Sequence, residues 1–176
     1  HRPALRSDAQ LASELQFMAA MGRAGLSVPV PFKTQHGSYV AMLGEVQADL
    51  LTWLPGHPLG RSRVPLALND AEIDTIFHVL GRSVAELHAA ADNWSPAADF
   101  TRPVLDLEGL LGDAPVWGRF WELAGVDAAQ LDVLARARHE LKRQLMPFVA
   151  DISFGLIHAD VVRENVLCDG GKISFI

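Results

Sequence analysis

The sequence predicts an α+β fold. Capping boxes open amphipathic helical stretches, a candidate hairpin lies in the first third of the chain, and the chain ends in short apolar runs punctuated by glycine. Polar caps followed by apolar residues at helical spacing argue for helix. Apolar runs of three or four residues with Gly-rich punctuation argue for buried strands.

Composition narrows the class. With 176 residues, 49% of them hydrophobic, the chain can bury one good core but not two large independent ones. A net charge of −6, without any run of Lys and Arg, argues against a dedicated nucleic-acid surface. The single Cys168 excludes an internal disulfide and a multi-cysteine zinc site, and fits a reducing compartment. No stretch reaches the roughly 18 apolar residues of a membrane span, and no signal-peptide pattern is present. The expectation is a soluble, cytoplasmic protein without nucleic-acid or membrane partners.

His1-Arg2-Pro3 opens as if the chain began at the end of a strand. Ser7-Asp8-Ala9-Gln10 is a capping box, and Leu11, Leu15, Met18 and Met21 follow at helical spacing until Gly22 and Gly25 end the helix. Val28-Pro29-Val30-Pro31 is an extended connector, since each Pro forces its predecessor out of the helical region. Lys33–Gln35 and Ser38–Leu43 are expected to pair across a His36-Gly37 turn. Val46–Leu54 follows as a further strand, closed by Pro55-Gly56-His57-Pro58.

Asn69-Asp70-Ala71-Glu72 caps the clearest helix, with Ile73, Ile76, Phe77, Leu80, Val84 and Leu87 on one stripe. Gly81 beside that stripe is expected to admit a closely packed neighbour. His88 has no partner at metal-ligand spacing and reads as a structural residue. Asn93–Pro103 is a loop, followed by helical pieces over Leu105–Leu111 and Val116–Leu123. Their Trp117, Phe120 and Trp121 form an apolar cluster that packs in a core or lines a cleft. Asp127 caps a helix carrying Leu131, Leu134, Leu141 and Leu145 inward and Arg136, Lys142 and Arg143 outward, and Pro147 closes it.

The chemistry is concentrated at the end. Phe154–Ile157 and Val166–Cys168 are expected strands bracketing a loop with His158, Asp160 and Asn165, and Asp169-Gly170-Gly171 turns the chain into Ile173–Ile176. An acid and an amide five residues apart on a rigid loop suit phosphoryl transfer. The Asp can take the proton of an attacking hydroxyl, and the Asn oxygen can hold Mg²⁺ on nucleotide phosphates. The alternative is a surface turn with a capping Asp and a solvated Asn.

His158-x-Asp160-x-x-x-x-Asn165 has the spacing of a kinase catalytic loop. With its flanking strands it resembles the aminoglycoside phosphotransferase and choline/homoserine kinase superfamily, the small-molecule branch of the protein-kinase-like fold. The resemblance implies a bilobal architecture with an incomplete N-lobe, one helix plus a short antiparallel sheet, over residues 1–54. A mainly helical C-lobe over 55–176 would contain the catalytic loop 158–165. It implies ATP and Mg²⁺ as cofactors, Asp160 as catalytic residue and Asn165 as metal ligand. It also implies that Glu14 pairs with the phosphate-binding Lys and that Thr52, Trp53 and Leu54 form the adenine-binding hinge. A solvated helix Glu and a core-packed Trp53 are the alternatives for these last assignments. Leu80–His88 is similar to the family's long C-lobe helix.

The implied activity is transfer of the ATP γ-phosphate to a hydroxyl of an aminoglycoside, homoserine, choline or similar small molecule. A stress-type Ser/Thr kinase and an inactive kinase-like binding module are the alternatives. Ala159 and Val162 stand where protein kinases usually carry Arg and Lys; the small Ala159 fits the small-molecule branch, whereas that branch often has His at the position of Val162. Arg163 could supply positive charge to the site or pair with Glu164. The family's strand Lys and second metal-binding Asp are not matched, so the chain is expected to be an internal, inactive piece of a longer kinase-like protein. Its exposed apolar surface would favour a homodimer.

Overall fold

Residues 7–176 are described by the computed structural model of the chain; the strand-end reading of His1–Pro3 lies outside the described residues. They fall into two units, one comprising the residues up to Thr101 with Gly155–Ile176, the other Arg102–Phe154.

In the first unit, α1 spans Asp8–Arg23 behind a Ser7–Gln10 capping box in which each side chain accepts the other residue's backbone N–H. That reciprocal pair satisfies two of the donors orphaned at a helix start. Leu11, Leu15 and Met21 are buried, as their spacing predicts. Gly22 does not end the helix but lies inside it, where a Cβ would come within 2.5 Å of Val30 Cγ2. Its expected role as terminator is replaced by one of close packing, and Gly25, at φ +88°, makes the turn beyond Ala24.

The connector then runs extended, but the hairpin is not where the turn residues suggested. His36-Gly37 does make a tight turn, with Thr34 N–H donating to Ser38 O at 2.7 Å and Gly37 N–H to Thr34 O at 3.0 Å. No ladder grows from it. The antiparallel pair is β1 (Ala41–Leu43) with β2 (Val46–Ala48), Met42 facing Gln47, across Gly44-Glu45. Gly44, at φ +66°, supplies the left-handed residue that a two-residue hairpin loop needs. The expected Val46–Leu54 strand stops at Ala48 and resumes as a single bridge between Leu51 and Pro31. The proline-rich connector has no N–H to offer at Pro29 or Pro31, so pairing proceeds only through Val30 and Phe32.

Three strands follow a different rule. β3 (His57–Pro58) pairs antiparallel with β4 (Val166–Asp169), and β4 with β5 (Lys172–Phe175), Cys168 facing Ile173. Gly170 and Gly171, at φ +54° and +84°, make the tight turn between the last two. Phe154–Ile157, expected as a strand, is irregular and mostly exposed, and the strand beside β4 is instead the short β3. α2 (Asp70–Asp92) opens on the Asn69–Glu72 capping box. Of its stripe Leu87 is buried, whereas Phe77 is 45% exposed. Gly81 has no neighbour that a Cβ would meet, so the expected close approach there is absent. His88 is exposed.

The core joins Ala20 and Met21 of α1, Val28, Leu87 and Ala91 of α2, and Val166, Ile173 and Phe175 of the terminal sheet. Burying a side chain of this size stabilises by roughly 1.5–3 kcal/mol. The His158–Asn165 segment therefore enters the sheet at a fully anchored residue, Val166.

The second unit packs α3 (Leu107–Leu111) and a 3-10 turn (Phe120–Glu122) on α4 (Ala128–Leu145), which opens on an Asp127–Gln130 capping box. Arg138 organises it. The guanidinium lies 3.8 Å from the Trp121 ring centroid, donates to Leu111 O at 2.8 Å, and pairs with Asp113 at 2.9 Å, holding that carboxyl below its ordinary pKa. Trp117 is 72% exposed, so the expected aromatic cluster reduces to the edge-on contact of Phe120 with Trp121. Lys142 reaches Glu108 at 2.7 Å rather than lying on a purely solvated face.

Candidate active site

Asp160 and Asn165 meet because the backbone between them folds on itself. Val162 N–H donates to Asp160 O and Asn165 N–H to Val162 O, both at 2.9 Å, and Arg163–Asn165 form a single 3-10 turn. This compact turn brings the Asn165 side chain back over Asp160. Asn165 Nδ2 donates to Asp160 O at 3.0 Å and to Asp160 Oδ2 at 2.9 Å. Beyond it, Asn165 O accepts from Ile176 N–H at 3.0 Å, fixing the amide residue to the end of the sheet.

His158 lies at the other end of the loop and braces it. Its Nδ1 accepts the Asp160 backbone N–H at 3.3 Å, and its ring lies 5.7 Å from that of buried Phe175. Between His158 and Asp160, Ala159 sits at φ +66°, in the left-handed region that a residue with a Cβ enters at a cost. Backbone strain of this kind persists only where surrounding contacts over-determine it. Here the His158 and Asn165 hydrogen bonds on either side do so.

The donor set suits a phosphate-borne Mg²⁺ better than a protein-only metal site. No group of three or more His, Cys, Asp or Glu able to hold a metal exists among the described residues. With its Nδ2 committed to Asp160, Asn165 turns its amide oxygen, a neutral hard ligand, away from the carboxylate. One or two such oxygens suffice where nucleotide phosphates complete the shell.

The remaining candidates are placed separately. Glu14 is half-buried on α1. Thr52 is bound to the connector, its N–H donating to Val30 O at 3.0 Å and its Oγ1 accepting Val30 N–H at 2.8 Å. Trp53 is 94% exposed, which removes the core-packed alternative for it, and Leu54 is half-buried.

The sequence offered Arg163 as charge for the site or as a pair for Glu164; the structure gives each of the two a backbone partner elsewhere. Arg163 Nη1 donates to Val64 O at 2.8 Å, and Glu164 Oε1 accepts the Ser62 N–H. That contact and further hydrogen bonding hold the Glu164 carboxyl below its ordinary pKa. Both partners are backbone groups 99 and 102 residues away, for which side-chain identity offers no signal.

The profile of the phosphotransferase enzyme family matches residues 1–176. The chain belongs to that family. It is 32% identical over 165 residues to homoserine kinase of Chelativorans sp. (strain BNC1), covering 91% of this chain and 44% of that one. It is 28% identical over 163 residues to homoserine kinase of Rhizobium etli (strain ATCC 51251 / DSM 11541 / JCM 21823 / NBRC 15573 / CFN 42), covering 91% and 44%. The chain thus spans less than half the length of these curated relatives. Among solved structures, a microcompartment-associated aminopropanol kinase superposes with a TM-score of 0.72 at 28% identity, over 99% of this chain and 55% of that one. An amicoumacin kinase solved with AMP-PNP, Ca²⁺ and Ami superposes with a TM-score of 0.61 at 18% identity, over 97% and 48%, a likeness of fold. The helices and small antiparallel sheets of this phosphotransferase-family chain are therefore part of a kinase-like fold, and its relatives are small-molecule kinases.

Proposed function

We propose that the intact protein is an ATP-dependent phosphotransferase that moves the γ-phosphate onto a hydroxyl of a small molecule, with Asp160 as catalytic residue and Asn165 as metal ligand. The observation that carries this reading is the 2.9 Å bond from Asn165 to Asp160 Oδ2, in a loop of this phosphotransferase-family chain that has the spacing of a kinase catalytic loop. It fixes the carboxylate and leaves Oδ1 to meet a substrate hydroxyl. The hydroxyl oxygen attacks the γ-phosphorus, the bond to the β-bridging oxygen breaks, and Asp160 takes the hydroxyl proton late in transfer. Magnesium, when bound, would neutralise phosphate charge beside the Asn165 amide oxygen. His158 holds the loop and does not act as the base.

In the same reading Thr52–Leu54 is the hinge at which residues 1–54 give way to 55–176. Thr52 spends its N–H and its hydroxyl on Val30, so backbone donation to the adenine edge falls to Trp53 and Leu54. Glu14 would pair with the family's phosphate-binding Lys. The isolated chain, which spans less than half the length of its curated relatives, is expected to turn over poorly. Homoserine and aminopropanol both carry a hydroxyl on a short amine-bearing carbon chain, which favours a small amino alcohol as acceptor over a protein side chain. The setting proposed is cytoplasmic.

The test uses the intact protein. Asp160→Asn keeps size and hydrogen bonding but removes the base, and should lower turnover by roughly 10²–10⁴ with little change in ATP affinity. Asn165→Ala should raise the Mg²⁺ concentration needed for half-maximal rate. Parental turnover in Asp160→Asn would overturn the assignment.

A further inference from the structure

We propose that the segment after the hinge, around Ser62 and Val64, is a clamp that sets the catalytic loop, with Glu164 and Arg163 as its positioning residues. The inference rests on the roles given above to Asp160 and Asn165. It goes beyond them by assigning a positioning role to two side chains that bind the backbone at Val64 and Ser62.

The clamp has several independent contacts. Glu164 accepts the Ser62 N–H, Arg163 donates to Val64 O at 2.8 Å, and Leu59 N–H donates to Val166 O at 2.7 Å. β3 pairs with β4 immediately before them. These contacts bracket Asn165 on both sides, so the residue that holds Asp160 is itself held by the linker. Charge-assisted hydrogen bonds such as those of Glu164 and Arg163 are roughly twice as strong as neutral ones.

The linker is shaped for this task. Val64 N–H donates to Arg61 O at 3.2 Å, closing a turn with Ser62 and Arg63 at its centre. Arg63 has φ +63°, and Ser62 does not share that sign, which is the pattern of a type II turn. A non-glycine residue held left-handed stores strain that other contacts must support. The bonds to Glu164 and Arg163 flank it. Gly56 marks the start of the same seat: at φ +110° it lies where a Cβ would come within 2.7 Å of Cys168 O.

The consequence is that a hinge-side displacement reaches the catalytic loop through backbone hydrogen bonds rather than through the core. Misplacing a reacting group by about an ångström can cost on the order of 10² in rate. Loss of one clamp bond should cost less, about tenfold.

The experiment is a double-mutant cycle in the intact protein between Glu164→Ala and Ser62→Pro. Pro suits the second position of a type II turn and removes both the N–H and the hydroxyl that Ser62 offers to Glu164. Each single variant should lower kcat about tenfold, leave KM for ATP within about twofold, and raise the Mg²⁺ requirement. The double variant should be little worse than either single one, because both remove the same bond. Glu164→Gln, whose amide oxygen can still accept that N–H, should recover to within about threefold of the parent. Asp160→Asn runs alongside. If it keeps the parental rate, the catalytic reading fails. If it loses the rate while Ser62→Pro and Glu164→Ala do not, or if the two losses simply multiply, the clamp is refuted. Should Glu164→Ala fail to fold, Ser62→Pro and Glu164→Gln decide the matter by themselves.

Discussion

Ala159 shows how much the site depends on single backbone conformations. Its φ of +66° places a Cβ where L-residues pay about 1–2 kcal/mol. Replacing it by Gly relieves that cost but adds roughly 0.4–1 kcal/mol of unfolded-state entropy. The two nearly offset, so Ala159→Gly should leave stability within about 1 kcal/mol of the parent. Ala159→Val adds branching at Cβ and should destabilise by about 1–3 kcal/mol, read by urea denaturation. An equal, small effect of both substitutions would mean that the left-handed conformation is not imposed by the loop. The sequence makes the candidate residues legible at this scale but not their geometry. His158, Asp160 and Asn165 were readable because spacing on one loop is local information. The bond from Asn165 to Asp160, the strained Ala159 and the partners of Arg163 and Glu164 were not, because each depends on a backbone path.

At the scale of elements, the helices were the more legible part. Ser7, Asn69 and Asp127 each open a helix through a reciprocal cap within three residues, and all three were visible in the sequence. Asn69→Ala should therefore cost about 1 kcal/mol, within the usual 0.5–2 kcal/mol of a lost polar cap, measured as a lower urea midpoint. A change under about 0.3 kcal/mol would mean that tertiary packing, not the cap, sets the start of α2. Strands were less legible because their partners are remote. His36-Gly37 carried turn chemistry as good as that of Gly44-Glu45, and only the pairing of Ala41–Leu43 with Val46–Ala48 distinguishes them. Phe154–Ile157 has the apolar content of a strand, yet β4 takes His57–Pro58 as its neighbour on that side. Two residues with a proline carry no periodicity, so β3 could not be read from sequence.

At the scale of the whole molecule, membership of a phosphotransferase family was recognisable because the spacing of His158, Asp160 and Asn165 is local information. The reading that remains to be tested at this scale is the hinge. Thr52 spends its N–H and its hydroxyl on Val30, whereas Trp53 is 94% exposed and makes no core contribution that would explain a tryptophan there. Backbone recognition of an adenine edge by Leu54 would use one donor, and losing a donor from such a contact costs about 1–2 kcal/mol. Leu54→Pro removes that donor. Pro55 already confines Leu54 to extended backbone, which a proline also adopts, so the substitution should be tolerated by the fold. In the intact protein ATP affinity by calorimetry should fall about tenfold, while the melting temperature without nucleotide stays within a few degrees. The affinity of Asp160→Asn, by contrast, should match the parent, separating nucleotide recognition from proton transfer. Undiminished ATP affinity in a folded Leu54→Pro protein would move the hinge elsewhere along the chain and leave the catalytic loop assignment intact.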